Sequence, residues 1–165
     1  MLILLQNIFR FVVLVAIQVL ALNNIQFLGY INPYIYILFI FSLPARLPRW
    51  LTLILAFILG LSIDIFSNTA GLHAFATVLI AFMREGTIKV FTSIEEGNNP
   101  EPSFYTFGVG SYIKYIVALV FVHHFTLFML EAFSFEHLGM TLLKVLLNSA
   151  ITILIILGIQ SFKRK

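Results

Sequence analysis

Leu51-Thr52-Leu53-Ile54-Leu55-Ala56-Phe57-Ile58-Leu59-Gly60-Leu61-Ser62-Ile63-Asp64-Ile65-Phe66, then Ser67-Asn68-Thr69-Ala70-Gly71, then Leu72-His73-Ala74-Phe75-Ala76-Thr77, is the stretch that decides how the chain folds. An apolar run of helical length carries one carboxylate near its end, turns within a few polar residues, and opens a second apolar run. Ala56, Gly60 and Asp64 recur every fourth position and so share one helix face. Ala70, Ala74, Thr77 and Ala81 form a similar stripe on the next run, bordered by His73. Small residues let helices approach closely where lipid surrounds them, so the two stripes are expected to face each other. The short turn makes the helices antiparallel neighbours and brings His73 near Asp64.

Asp64 is the sole carboxylate before Glu85. A charge within a membrane segment is costly, so its surroundings are the candidate site. In one reading Asp64 lies near the outer interface and caps or braces the turn. In the other it is a proton or ligand site, but a relay needs further ionisable groups, and none lies on the rest of its stripe.

Outward from this hairpin, the composition leaves one comfortable class. Of 165 residues, 61% are hydrophobic and 10% charged, with a mean hydropathy of +1.03. Soluble domains carry about 25% charged residues. The chain is therefore expected to be an all-α integral membrane protein, a six-helix transmembrane bundle in a single domain, 1–165. The apolar runs place spans near 2–22, 31–47, 51–67, 71–91, 111–131 and 141–162, with a cytoplasmic loop at 92–110. A re-entrant hairpin for the third and fourth runs is the alternative. The first run lacks a preceding basic residue and a clear cleavage site, and reads as an uncleaved span.

Basic residues mark every second connection: Arg46 and Arg49, then Arg84, Lys89 and Lys114, then Lys163-Arg164-Lys165. The intervening connections at 23–30 and 67–71 carry no Lys or Arg. An even number of crossings with both termini in the cytoplasm follows. The net charge of +3 comes from only ten dispersed Lys and Arg, which reads as topology rather than nucleic-acid binding. The loop segment Glu95-Glu96-Gly97-Asn98-Asn99-Pro100 reads as an exposed linker.

Little of the sequence offers chemistry. Cysteine is absent, which excludes thiolate metal sites and cysteine nucleophiles. His123 and His124 are adjacent, so they point to different sides of a helix and cannot easily share one ion; they read as a packed pair. No phosphate-binding loop, dinucleotide fingerprint, nucleophile elbow or zinc-helix pattern occurs. Arg10 lies about 12 Å along its helix and must snorkel or pair inside the bundle. Gln6, Asn7 and Gln18, with Lys144, Asn148 and Ser149, keep the first and last spans from being wholly lipid-facing. No catalytic residue, cofactor or metal is expected.

The order of Asn32-Pro33, a basic turn at 44–50, Ala56 through Asp64, then Gly71-Leu72-His73-Ala74 and Arg84 resembles the rod shape-determining MreD family. That family typically shows Gly-Leu-x-x-Asp followed by Gly-Leu-His-Ala on the next helix. The likeness covers the chain in size and span order, and its specific part is 33–84. Tyr34 stands where members commonly carry an acidic residue, and the loop 92–110 is longer than usual.

The resemblance implies a non-catalytic scaffold of the cell-elongation machinery in the bacterial cytoplasmic membrane. Such a protein binds MreC and, through it, connects to MreB, RodA and a penicillin-binding transpeptidase in lateral peptidoglycan synthesis. The fold would be similar to the six-helix substrate-binding subunits of energy-coupling-factor vitamin transporters, which makes small-molecule binding the alternative function. Arg10, Ala56, Gly60, Asp64, Gly71, His73, Ala74 and Thr77 are the candidate helix-packing or partner-contact residues.

Overall fold

The computed structural model describes residues 2–25, 31–94, 98–134 and 136–162, with side chains from residue 5 onward. Within them every element is helical and no strand forms. The long helices are α1 (Leu2–Leu20), α3 (Arg49–Ser67), α4 (Leu72–Phe91), α6 (Val109–Ala132) and α7 (Leu138–Ser161), with short helices α2 (Leu38–Phe41) and α5 (Phe104–Phe107). Four segments, Leu5–Asn24, Arg49–Ser67, Val109–Ala132 and Leu138–Ser161, are long and apolar enough to cross a membrane. α4 has the length, but Arg84, Glu85 and Lys89 crowd its second half. The tail residues 163–165 and part of the acidic loop lie outside the described residues.

Of the six expected spanning helices the described residues give four candidates: α4 falls out on its charges and the second run on its shape. The second run is not a helix of spanning length. It is extended to Tyr34, makes a 3₁₀ turn at Ile35–Ile37, and is α-helical only at Leu38–Phe41. Pro33 cannot donate a backbone hydrogen bond and its ring excludes helix before it, which explains the late start. This segment is the centre of the core: Tyr36, Ile37, Ile40 and Phe41 are inaccessible to solvent.

Irregular backbone survives in apolar surroundings only where protein groups satisfy it. Here neighbouring helices supply them. Asn148 Oδ1 accepts from the Asn32 N–H at 2.6 Å, and Thr152 Oγ1 accepts from the Tyr34 N–H at 3.0 Å. Gln18 Oε1 accepts from the Ile35 N–H at 2.9 Å while Gln18 Nε2 donates to the Pro33 carbonyl at 3.1 Å. Gln18 and Asn148, polar residues in otherwise greasy helices, are thus the backbone partners of a broken neighbour. Replacing Gln18 by Leu, similar in volume, leaves one buried N–H and one carbonyl unpaired. A loss on the order of 2 kcal/mol is expected, read as a lower unfolding temperature in detergent, with Val19→Leu as the neutral comparison.

The same contacts fix direction. The broken segment begins beside Gln18, Asn148 and Thr152 and ends beside Arg84 and Tyr115, so it descends antiparallel to α1 and α6. About 16 Å of α4 separates His73 from Arg84. α3 rises to the turn at 68–71, α4 descends, α6 rises, and α7 descends against it through His124 and Thr152. α4 packs most extensively, between α3 and α6.

One end of the bundle therefore gathers Arg10, Arg46, Arg49, Arg84, Lys89 and Glu101, and the other holds Asp64, His73 and Glu131. The segment at 98–103 is not a free linker. It folds back onto the basic turn: the Ala45 N–H donates to the Pro100 carbonyl at 2.9 Å, and Arg10 Nη2 pairs with Glu101 Oε2 at 3.3 Å.

Candidate functional site

Asp64 occupies the last turn of α3 and is buried. Its helix ends one turn later at Asn68, whose left-handed backbone (φ 54°) suits Asn. Gly71 follows at φ 82°, where a Cβ would strain the chain. These two positive φ angles fold the chain back so that the start of α4 meets the side chain of Asp64.

α4 opens with no side-chain cap of its own. Its first N–H groups would be orphans in an apolar environment. Asp64 takes that role from the preceding helix. Its Oδ2 accepts from the Ala74 N–H at 2.9 Å, and its Oδ1 accepts from the His73 N–H at 3.1 Å. The carboxylate also lies where the positive end of the α4 dipole favours an anion. Thr69 Oγ1 donates to Oδ1 at 2.5 Å, and the Nδ1–H tautomer of His73 donates to Oδ1 at 3.1 Å.

This trio holds the acid, base and hydroxyl of a nucleophilic triad but not its geometry. A triad sets the hydroxyl and the carboxylate on opposite ring nitrogens. Thr69 Oγ1 and Asp64 Oδ1 both lie 3.1 Å from the same nitrogen, His73 Nδ1. The Thr69 proton goes to the carboxylate, so the hydroxyl is held in place rather than activated.

Below the cap, α3 and α4 touch through their backbones. A Cβ built on Gly60 would stand 2.6 Å from the His73 carbonyl oxygen and 2.7 Å from the Ala74 nitrogen. Ala56 is wholly buried, and Ala74 and Ala81 nearly so. Thr77 Oγ1 donates to the His73 carbonyl at 2.6 Å. Ala56, Gly60, Asp64, His73, Ala74 and Thr77 thus meet in one internal contact, and Gly71 forms its turn. Ala70 lies in the turn and is exposed, outside the helical stripe. Arg10 sits at the opposite end, where Nη1 donates to the Ser42 carbonyl at 3.3 Å.

Removing the cap separates its role from mere packing. Asp64→Ala orphans two N–H groups and two side-chain donors, and a loss on the order of 3 kcal/mol or more is expected. Asp64→Asn keeps one accepting oxygen and should lose less. Thermal unfolding in detergent ranks the three proteins, and equal stability of wild type and Asp64→Ala would remove the capping role.

Beside the hairpin lies a cluster that sequence reasoning did not assemble. The Tyr34 ring lies 5.8 Å from His73 and 5.3 Å from His124, and the Tyr36 ring 6.0 Å from His73. Tyr36 OH and His123 Nε2 share a hydrogen bond at 2.8 Å. His124 Nδ1–H donates to the Val120 carbonyl at 2.8 Å, which leaves Nε2 as acceptor for Thr152 Oγ1–H at 3.3 Å. The two histidines both point into the bundle, one to the broken segment and one to α7. No group of three or more metal-ligating acidic, histidine or cysteine residues occurs among the described residues.

The second buried charge, Arg84, stood in the sequence only as a basic residue marking a connection. Arg84 is 3% exposed. Its Nε donates to Tyr115 OH at 3.1 Å, and its Nη2 donates to the carbonyls of Leu43 and Pro44, the latter at 3.2 Å. These carbonyls lie in the turn just past α2, close to the negative end of that short helix, where a cation is favoured. Asp64 closes a helix start and Arg84 closes a helix end. No protein family, characterised protein or solved structure matches the chain. Function must be argued from the molecule itself.

Proposed function

We propose that this chain is a non-catalytic membrane scaffold of the MreD type, working in the bacterial cytoplasmic membrane by presenting helix faces to partner helices. The observation that carries the reading is that both buried charges, Asp64 and Arg84, are committed to helix ends, and the catalytic-looking trio at Asp64 is tied up internally. What is left for recognition is shape. On this reading the broken segment is the second of six passes, and the basic end, with both termini, lies in the cytoplasm.

The partner surface shifts away from the small-residue stripes, because those residues already face each other. α1 is the least enclosed of the four candidate spans, with 17% of its window buried against 28–44% in the others. Between α1 and α3 runs an apolar groove of about 600 Å³, lined by Ile8, Phe11, Leu51, Leu55 and Ile58. Asn7 also lines it, and its Oδ1 has no hydrogen-bond partner among the described residues. A partner's membrane helix, that of MreC on this reading, would seat there and offer Asn7 a donor. Clean deletion is expected to round the cells, and a photo-cross-linker at Ile8 should capture MreC. Normal rods after deletion would count against the role.

A vitamin-binding transporter subunit remains the second reading, favoured by one observation. At the Asp64 end lies a cleft of about 360 Å³ lined by Asn23, Asn32, Tyr34, Thr69, His73 and Glu131. Several of these groups are already paired: Asn23 Nδ2 donates to Ser67 Oγ at 2.9 Å, and Asn32 Nδ2 donates to Asn23 Oδ1 at 3.2 Å. The cleft therefore supports a polar latch over the helix ends better than a vitamin site. Saturable thermal stabilisation by one vitamin would reverse the order of the two readings.

A further inference from the structure

The basic end of the bundle holds a cavity of about 530 Å³ between the start of α3 and the second half of α4. Among the described residues four cations line it, Arg46, Arg49, Arg84 and Lys89, against one carboxylate, Glu85. Arg84 is the telling member. It is almost wholly buried and lines the cavity, while its hydrogen bonds among the described residues use only Nε and Nη2. α3 begins at this wall behind Pro48, with no side-chain cap on its first N–H groups. A positive helix end, a buried guanidinium with one nitrogen still to pair and three further cations converge on one space, which is how proteins hold phosphate.

The position decides what carries that phosphate. Arg49 lies over the Phe82 ring at 4.1 Å, at the junction with a second, shallower cleft lined by Phe82, Met83 and Val90. Phe82 and Val90 are exposed on the outer face of α4, and Trp50 is exposed beside Arg49. A polar, cationic recess opening onto an apolar helix face beside a tryptophan is the profile of an interfacial amphiphile site.

We propose that this cavity binds the phosphate group of an anionic membrane lipid, whose acyl chains lie along the Phe82–Val90 face of α4. Arg46, Arg49 and Lys89 surround the headgroup and Arg84 forms the floor. Glu85 pairs with Lys89 at 2.6 Å and competes with the ligand for it. The inference does not depend on the scaffold role, since it concerns only the basic end and its lipid.

Trp50 is the only tryptophan, is exposed, and follows the cavity-lining Arg49 directly in the chain, so its fluorescence can report a lipid held at Arg49. The full-length protein in a neutral detergent is titrated with phosphatidylglycerol brominated on its acyl chains, and Trp50 fluorescence is followed. Saturable quenching is expected in wild type, weaker by about tenfold or more in the surface double variant R46Q/R49Q, and tighter in E85Q. Brominated phosphatidylcholine should quench far less, and inorganic phosphate in millimolar excess should not relieve the signal. Equal quenching by both lipids, or unchanged affinity in R46Q/R49Q, would overturn the site. Full relief by inorganic phosphate would overturn the lipid as its source.

Discussion

Gly60→Ala is expected to be the most damaging small substitution in this protein. The added methyl meets the backbone of His73 and Ala74, which cannot rotate away as a side chain can. α3 and α4 must separate, and the separation pulls Asp64 from the two N–H groups it caps. Overpacking alone costs about 1–3 kcal/mol, and the lost cap adds to it. Gly86→Ala on the exposed side of α4 is the control, because nothing lies within 4 Å of its new Cβ. That variant should match wild type or gain up to about 1 kcal/mol from helix propensity. Thermal unfolding in detergent compares them, and similar behaviour of the two alanines would show that the helices are not in backbone contact at Gly60.

Arg84→Met should produce the next largest loss. Methionine retains the apolar stem but removes every donor, leaving the Leu43 and Pro44 carbonyls and Tyr115 OH without their guanidinium. A loss on the order of 3 kcal/mol is expected, concentrated in the broken segment rather than in the α3–α4 hairpin. Amide exchange should quicken at 38–44 while the first turns of α4 keep their protection. Arg84→Lys should recover only part of the stability, since one ammonium cannot span both the carbonyls and the tyrosine. Wild-type exchange in Arg84→Met would mean that the charge snorkels and clamps nothing.

The hairpin was legible in the sequence because its determinants are local. Ala56, Gly60, Asp64, Gly71, His73 and Ala74 lie within nineteen consecutive positions, and spacing alone sets them face to face. The broken second run was not, because apolar composition is the same whether such a segment is helical or not. Its hydrogen-bond partners, Gln18, Asn148 and Thr152, lie far away in the chain, and only their polarity in greasy helices hinted at a task. Arg84 read as a topology signal for a related reason. The carbonyls that draw it inward belong to a segment forty residues earlier. The link of the His123–His124 pair through Tyr36 to the broken segment needed three dimensions.

Everything rests on the broken segment acting as a true pass, which puts the basic connections on one side of the membrane. The chain has no cysteine, so single cysteines report sidedness cleanly. Ala70→Cys, Ser93→Cys and Ser134→Cys occupy three exposed connections. With a membrane-impermeant maleimide on spheroplasts, positions 70 and 134 should label at once and position 93 only after lysis. Labelling of position 93 on intact spheroplasts, or opposite sidedness of positions 70 and 134, would contradict the six-pass arrangement.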